Sequence, residues 1–191
     1  MGLLSPLLSG SEGSGGPIGT VTGDDLFYAP QGDAFTSSLS ANQLALAALD
    51  ITTAASILSL TAEVSAAGTA GAVVRLAVYA DNGTRGWPGA LVLDAGTIDG
   101  TSATVQTITL GSPLALAPGR YWVGAVGQGG PTTQPTMRCL RYGVSQPATA
   151  VGAGTIAWAV AQSGVTGALP ANYTTTKGHT FTAPRVWMRV D

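Results

Sequence analysis

Charge is what this chain has least of. Asp, Glu, Lys and Arg make up only 9% of its 191 residues, ten acids against eight bases, for a net charge of −2. Lys177 is the single lysine and the seven arginines are scattered, so no basic stripe exists to neutralise phosphates, and nucleic acid is excluded as a partner. One histidine, His179, excludes zinc sites that need two. One cysteine, Cys139, excludes an intrachain disulfide and any C-x-x-C motif, and predicts a buried, inert thiol. No run of 18 apolar residues occurs, so no membrane partner is expected. Met1 to Leu8 has no basic stretch and is interrupted by Pro6, which fits neither a secretory signal nor a myristoylation site.

Catalytic signatures are missing as well. No serine has glycines two residues away on both sides, as a nucleophile elbow requires. Lys177 precedes Gly178 instead of following a glycine, so there is no phosphate-binding loop of the Gly-Lys-Ser/Thr kind. Gly152-Ala153-Gly154-Thr155-Ile156-Ala157 matches a dinucleotide fingerprint in letters alone, and without a flanking βαβ pattern it reads as a glycine-rich loop. The acids sit mostly at turns, where Asp forms local hydrogen bonds, so neither enzyme chemistry nor a cofactor is expected.

What is present is strand periodicity. In Val73–Ala80, Val74, Leu76, Val78 and Ala80 share one face and Arg75 and Tyr79 the other. Asp81-Asn82-Gly83 ends the run, because Asn-Gly tolerates the positive φ of a tight reversal. Strands are predicted at 57–64, 91–95, 104–110, 121–126, 137–142, 154–160 and 186–190, with a loop at 127–135. Leu44–Leu49 carries helix-forming residues, but no cap follows it and a strand is preferred there. The run Tyr121–Val126 is apolar on both faces, as a central strand requires. The fold class is therefore all-β, an antiparallel β-sandwich of about eight strands with jelly-roll-like spacing, in which Val74, Leu76, Val78, Val123, Val186 and Met188 are buried.

Two zones are expected. Residues 1–23 form an extended N-terminal arm: Leu3, Leu4, Leu7 and Leu8 make an apolar tip, and Ser9–Gly16 is a Gly/Ser linker by composition. Residues 24–191 form the sandwich. The arm is read as docking its leucines into a neighbouring subunit. Low charge and many small residues suit surfaces that lie against other subunits, so a homo-oligomer is expected, with a trimer first.

The runs GTAGAVVRLAVYADNG, PGALVLDAGT, LAPGRYWVGAVGQG, QSGVTGALP and APRVWMRV together resemble a jelly-roll-like module recurrent in tailed-phage and prophage structural proteins, over roughly Phe27 to Asp191. The resemblance implies a virion component, assembled in the host cytoplasm, with capsid or tail subunits as partners and a role as capsid decoration, head fibre or minor tail protein. It carries over no catalytic residue. The module is also similar in outline to carbohydrate-binding sandwiches, which raises host surface glycan as an alternative partner.

The candidate contact residues follow from where aromatics and oxygen donors fall. Trp87 lies between Gly86 and Pro88 in a turn, an unusual place for a core tryptophan, and Asp81 and Asn82 stand beside it in sequence. Trp158 lies in a Gly/Ala-rich strand and Tyr173 in a polar loop. These five are the candidate glycan or partner contacts. Trp122 and Trp187 are read as core or edge packing. Asp81, Asn82, Asp94 and Asp99 are oxygen donors at turns, as in a calcium clip, but lack the fixed acidic spacing of such a site, and no metal is expected.

Overall fold

A computed structural model describes residues 26–83, 87–130, 132–141, 159–174, 179–180 and 182–191. The arm, with Leu3, Leu4, Leu7 and Leu8, lies outside the described residues, as does Trp158. Among the described residues the chain runs through β1 (Leu26–Tyr28), β2 (Asp33–Ser38), β3 (Gln43–Ile51), β4 (Ala55–Ala66), β5 (Val73–Asp81), β6 (Pro88–Asp99) and β7 (Val105–Leu116). It continues through β8 (Gly119–Gln128), β9 (Thr136–Arg141), β10 (Ala159–Ser163), β11 (His179–Thr180), β12 (Ala183–Pro184) and β13 (Val186–Val190). There is no helix among them, and every strand pairing is antiparallel.

The strands form two sheets packed as a sandwich. In the first, β2, β9, β4 and β7 lie side by side; in the second, β3, β8, β5 and β6 do. From β2 to β9 the chain crosses between sheets at every step except the β5–β6 hairpin, which is jelly-roll-like winding. The expectation of about eight strands falls short of the thirteen described, and it leaves out β2. The strands outside this winding are short. β1 and β13 extend the first sheet beside β4, β12 pairs with β9, and β10 and β11 extend the second sheet beyond β3. Two- and three-residue strands carry too little alternation to be read from sequence.

Between the sheets lies the main core, in which all six residues expected to be buried are fully buried. Val74, Leu76 and Val78 from β5 meet Val123 and Ala125 from β8, facing Leu60, Ala62, Val64, Val186 and Met188 of the first sheet. Cys139 packs there too, and burial pushes its thiol up to about 12, so the expected inert state holds. Simple alternation from Leu60 would turn Leu58 inward, but Ile57 enters the core instead, because the β4–β7 register shifts between Ile57 and Ser59. The strand expected at 154–160 is described as β10, reaching Ser163, while residues 154–158 lie outside the described set.

Tyr79 lies on the face opposite Val78, as alternation requires, and is completely buried too. The second sheet is covered on its outer face as well. Leu44, Leu46, Ala77, Tyr79, Trp122, Val126 and Val160 form a second apolar layer there, closed by Val165, Leu169 and Tyr173. Those last three belong to a strap, residues 164–174, that crosses the sheet.

Candidate functional site

Four of the five nominated contact residues meet at one corner of this second layer. Asp81 ends β5, and Gly83 at φ 68° starts the reversal that the Asn-Gly pair predicted. The Asn82 N–H donates to the Trp87 carbonyl at 2.7 Å across the turn. Gly89 follows so close to Asn82 that a Cβ there would meet the Asn82 backbone at 3.0 Å. On the far side the strap joins β6: the Leu91 N–H donates to the Ala171 carbonyl and the Tyr173 N–H to the Gly89 carbonyl, both at 2.9 Å. Chain sections far apart in sequence, joined by these pairings of Leu91 with Ala171 and Gly89 with Tyr173, thereby place Tyr173 near Trp87.

The corner is largely occupied with holding itself together. Asp81 accepts the Trp122 indole N–H through one carboxylate oxygen at 3.1 Å and the Gly83 N–H through the other at 2.9 Å. Tyr173 is 9% exposed, so its ring is no open platform, and burial raises its phenol pKa. Trp87 is half-buried and packs on the same layer as Leu91. The Trp122 expectation of core packing holds.

Polar side chains bolt the strap down. The Tyr79 hydroxyl donates to the Pro170 carbonyl at 2.9 Å, and burial, followed by the nearby Asp94 charge, raises its pKa. Gln128 donates to both the Val165 and Gly167 carbonyls at 2.9 and 2.8 Å. Gln162 donates to the Thr174 hydroxyl and accepts from its N–H. Nothing in the sequence of a polar, Gly-containing segment pointed to this role. The buried glutamines on otherwise apolar strands were the available signal.

The turn carboxylates are dispersed among separate tasks. Asp94 forms a bidentate pair with Arg75 at 2.9 Å and accepts the Gly96 N–H. Asp99 accepts the hydroxyl and N–H of Thr101, which hold its carboxyl below the usual range. Asp50 and Glu63 pair with Arg120 and Arg138. Among the described residues no group of three metal-ligating side chains occurs.

No family model matches the chain, and no curated protein does.

Two surfaces remain. The outer face of the first sheet carries Thr61, Thr107, Glu63, Arg138 and Trp187, with the Thr61 and Thr107 hydroxyls 2.8 Å apart and the Arg185 guanidinium 5.2 Å from the centre of the Trp187 ring. Trp187 is thus not core: it packs on the outside of its sheet, under Arg185. The second surface is the open side of the sandwich, where β6 and β7 run as the two sheet edges. Each is twelve residues long, and between them Leu93, Ala95, Ile108, Leu110 and Leu114 are only half-buried, around a cavity of about 370 Å³. Val105, at one end of β7, is 60% exposed.

Proposed function

We propose that this protein is a non-enzymatic structural component of a bacteriophage virion, a capsid decoration, head fibre or minor tail protein, anchored by residues 1–23. The open side of the sandwich is the observation that supports this reading most. Long edge strands with unsatisfied backbone groups and half-buried apolar side chains are a liability in a solitary protein and a contact surface in an assembly. Supporting it, five of the described acids, Asp50, Glu63, Asp81, Asp94 and Asp99, are committed to structural hydrogen bonds, which suits a scaffold more than a reactive centre. A homo-oligomer, a trimer first, follows from the same surface and the low charge. The test is deletion of residues 1–16. The sandwich should keep its β-type circular dichroism while incorporation into particles is lost, and undiminished incorporation would overturn the anchoring role.

A second reading is host-glycan recognition on the same particle. Trp87 favours it, because it keeps part of its ring exposed beside the Asn82 turn. Trp87→Ala should then abolish binding on a glycan array, and an array without any signal for the parent protein would dismiss this reading.

A further inference from the structure

We propose that the groove between β6 and β7 is the receptor for the leucine segment Leu3–Leu8 of this same chain, added as a strand along the open side of the sandwich. The inference rests on the reading of that segment as an anchoring arm, and it names the surface that the arm fits.

The two edges are unequal in how they are guarded. The strap pairs with β6 only at residues 89–91, through the Leu91 and Tyr173 hydrogen bonds. Beyond it, residues 92–99 pair with β5 alone among the described residues, and β7 pairs with β4 alone. The groove between them is apolar at its base, with Leu93, Ala95, Ile108, Leu110 and Leu114, and its rim is Thr109, Gly111 and Ser112. Its one charged group, Asp94, is already neutralised by Arg75. Such a surface favours an uncharged, apolar strand, and Met1-Gly2-Leu3-Leu4-Ser5-Pro6-Leu7-Leu8 has no charged side chain.

Reach agrees. Leu26 pairs with Val190, Val190 with Ile57 and Ile57 with Leu114, so the start of β1 and the rim of the groove lie in one row of the first sheet. Three strand spacings separate them, about 14 Å. Residues 9–25 join the leucines to β1, and seventeen residues of Gly/Ser-rich composition span about 20–25 Å root-mean-square. That length reaches the groove of the same sandwich or of one packed against it.

The experiment is disulfide trapping in the full-length protein. Leu7→Cys is combined with Ser112→Cys at the groove rim or, as a reference, with Thr36→Cys on exposed β2 across the first sheet; the buried Cys139 stays out of the reaction. Cross-linking at Ser112 should exceed the Thr36 reference at least tenfold. Gly111→Trp, whose new side chain would enter open space over the groove, should remove the cross-link without changing the circular dichroism. A cross-linked dimer supports both the groove and docking on a neighbour. A cross-link confined within one chain supports the groove and overturns docking on a neighbour. Trapping at Ser112 no greater than at Thr36 overturns the groove, and if deletion of residues 1–16 still abolishes incorporation, the anchoring role survives without it. Dimerisation that Gly111→Trp abolishes with no Leu7 cross-link also overturns the proposal, in favour of edge-to-edge pairing of two sandwiches.

Discussion

The two sheets share one core but have opposite outer faces. The first sheet turns Thr61, Thr107, Glu63, Arg138 and Trp187 outward, as an antiparallel sheet packed on one side usually does. The second turns Leu44, Leu46, Tyr79, Trp122 and Val126 outward and buries them under residues 164–174. The difference shows how a chain with little charge keeps an apolar sheet out of water without a helix. It folds an irregular segment over the sheet and satisfies that segment's backbone from within, its Pro170, Val165 and Gly167 carbonyls from buried Tyr79 and Gln128 and its Thr174 N–H from Gln162, since orphaned backbone groups would cost about 1–3 kcal/mol each.

The sharpest way to break the comparison is to truncate one tryptophan on each face. Trp122→Ala removes a fully buried ring and strips Asp81 of its indole donor, so urea denaturation should show a loss of about 3–5 kcal/mol. Trp187→Ala, on the half-exposed outer face of the first sheet, should cost clearly less, about 1–2 kcal/mol. Equal losses would mean that the strap does not seal the second layer.

A smaller effect isolates the bolts from the apolar cover. Gln128→Ala leaves the Val165 and Gly167 carbonyls without their donor and should cost about 2 kcal/mol, with faster hydrogen exchange concentrated in 164–174. Thr61→Val, which removes one member of the hydroxyl pair on the opposite face, should change stability by less than about 0.5 kcal/mol. Uniform exchange across the sandwich in the Gln128 variant would deny the strap its separate role.

The core between the faces has its own signature, in pH. Burial raises the Cys139 thiol from about 9 to about 12. Below pH 8 both folded and unfolded chains hold the proton and the contribution is whole. As pH rises past 9 the unfolded chain releases it first, so stability falls, by about 1.4 kcal/mol between pH 8 and 10. Tyr79 and Tyr173, raised by burial, add a loss of the same sign only above about pH 10. Denaturation of Cys139→Ala across pH 8–10 should therefore show a flatter slope than the parent, whatever its absolute stability, and parallel slopes would place the thiol within reach of water.

Alternation made the main core legible. Val74, Leu76 and Val78 had to share a face, and Val186 and Met188 likewise, because side chains along a strand repeat every two residues. Two-sided burial of the second sheet was also written in the unbroken apolar runs Leu44–Leu49 and Tyr121–Val126. Tyr79 is buried on the face it shares with Arg75, whose charge is held by Asp94 and which reaches towards Gln128 at 3.5 Å. Of the contact candidates, Asp81, Asn82 and Trp87 are neighbours in sequence and were bound to meet. Tyr173 joins them only through the strap. The long open edges of β6 and β7 were not legible at all, since a strand's sequence reports which face is buried and not whether a neighbour lies beside it.

By itself the sequence determined the class of structure: an all-β sandwich, its inward residues, its turns at Asp81-Asn82-Gly83 and its inert thiol. Each follows from local chemistry, from side-chain alternation, the φ tolerance of Asn-Gly and the preference of a lone thiol for apolar surroundings. Tertiary structure alone decided which strands became edges, which segment sealed the second sheet and which tryptophan was core. Those outcomes depend on pairings between residues far apart in the chain, such as Ser59 with Thr109 or Gln128 with Gly167, and no local pattern encodes them.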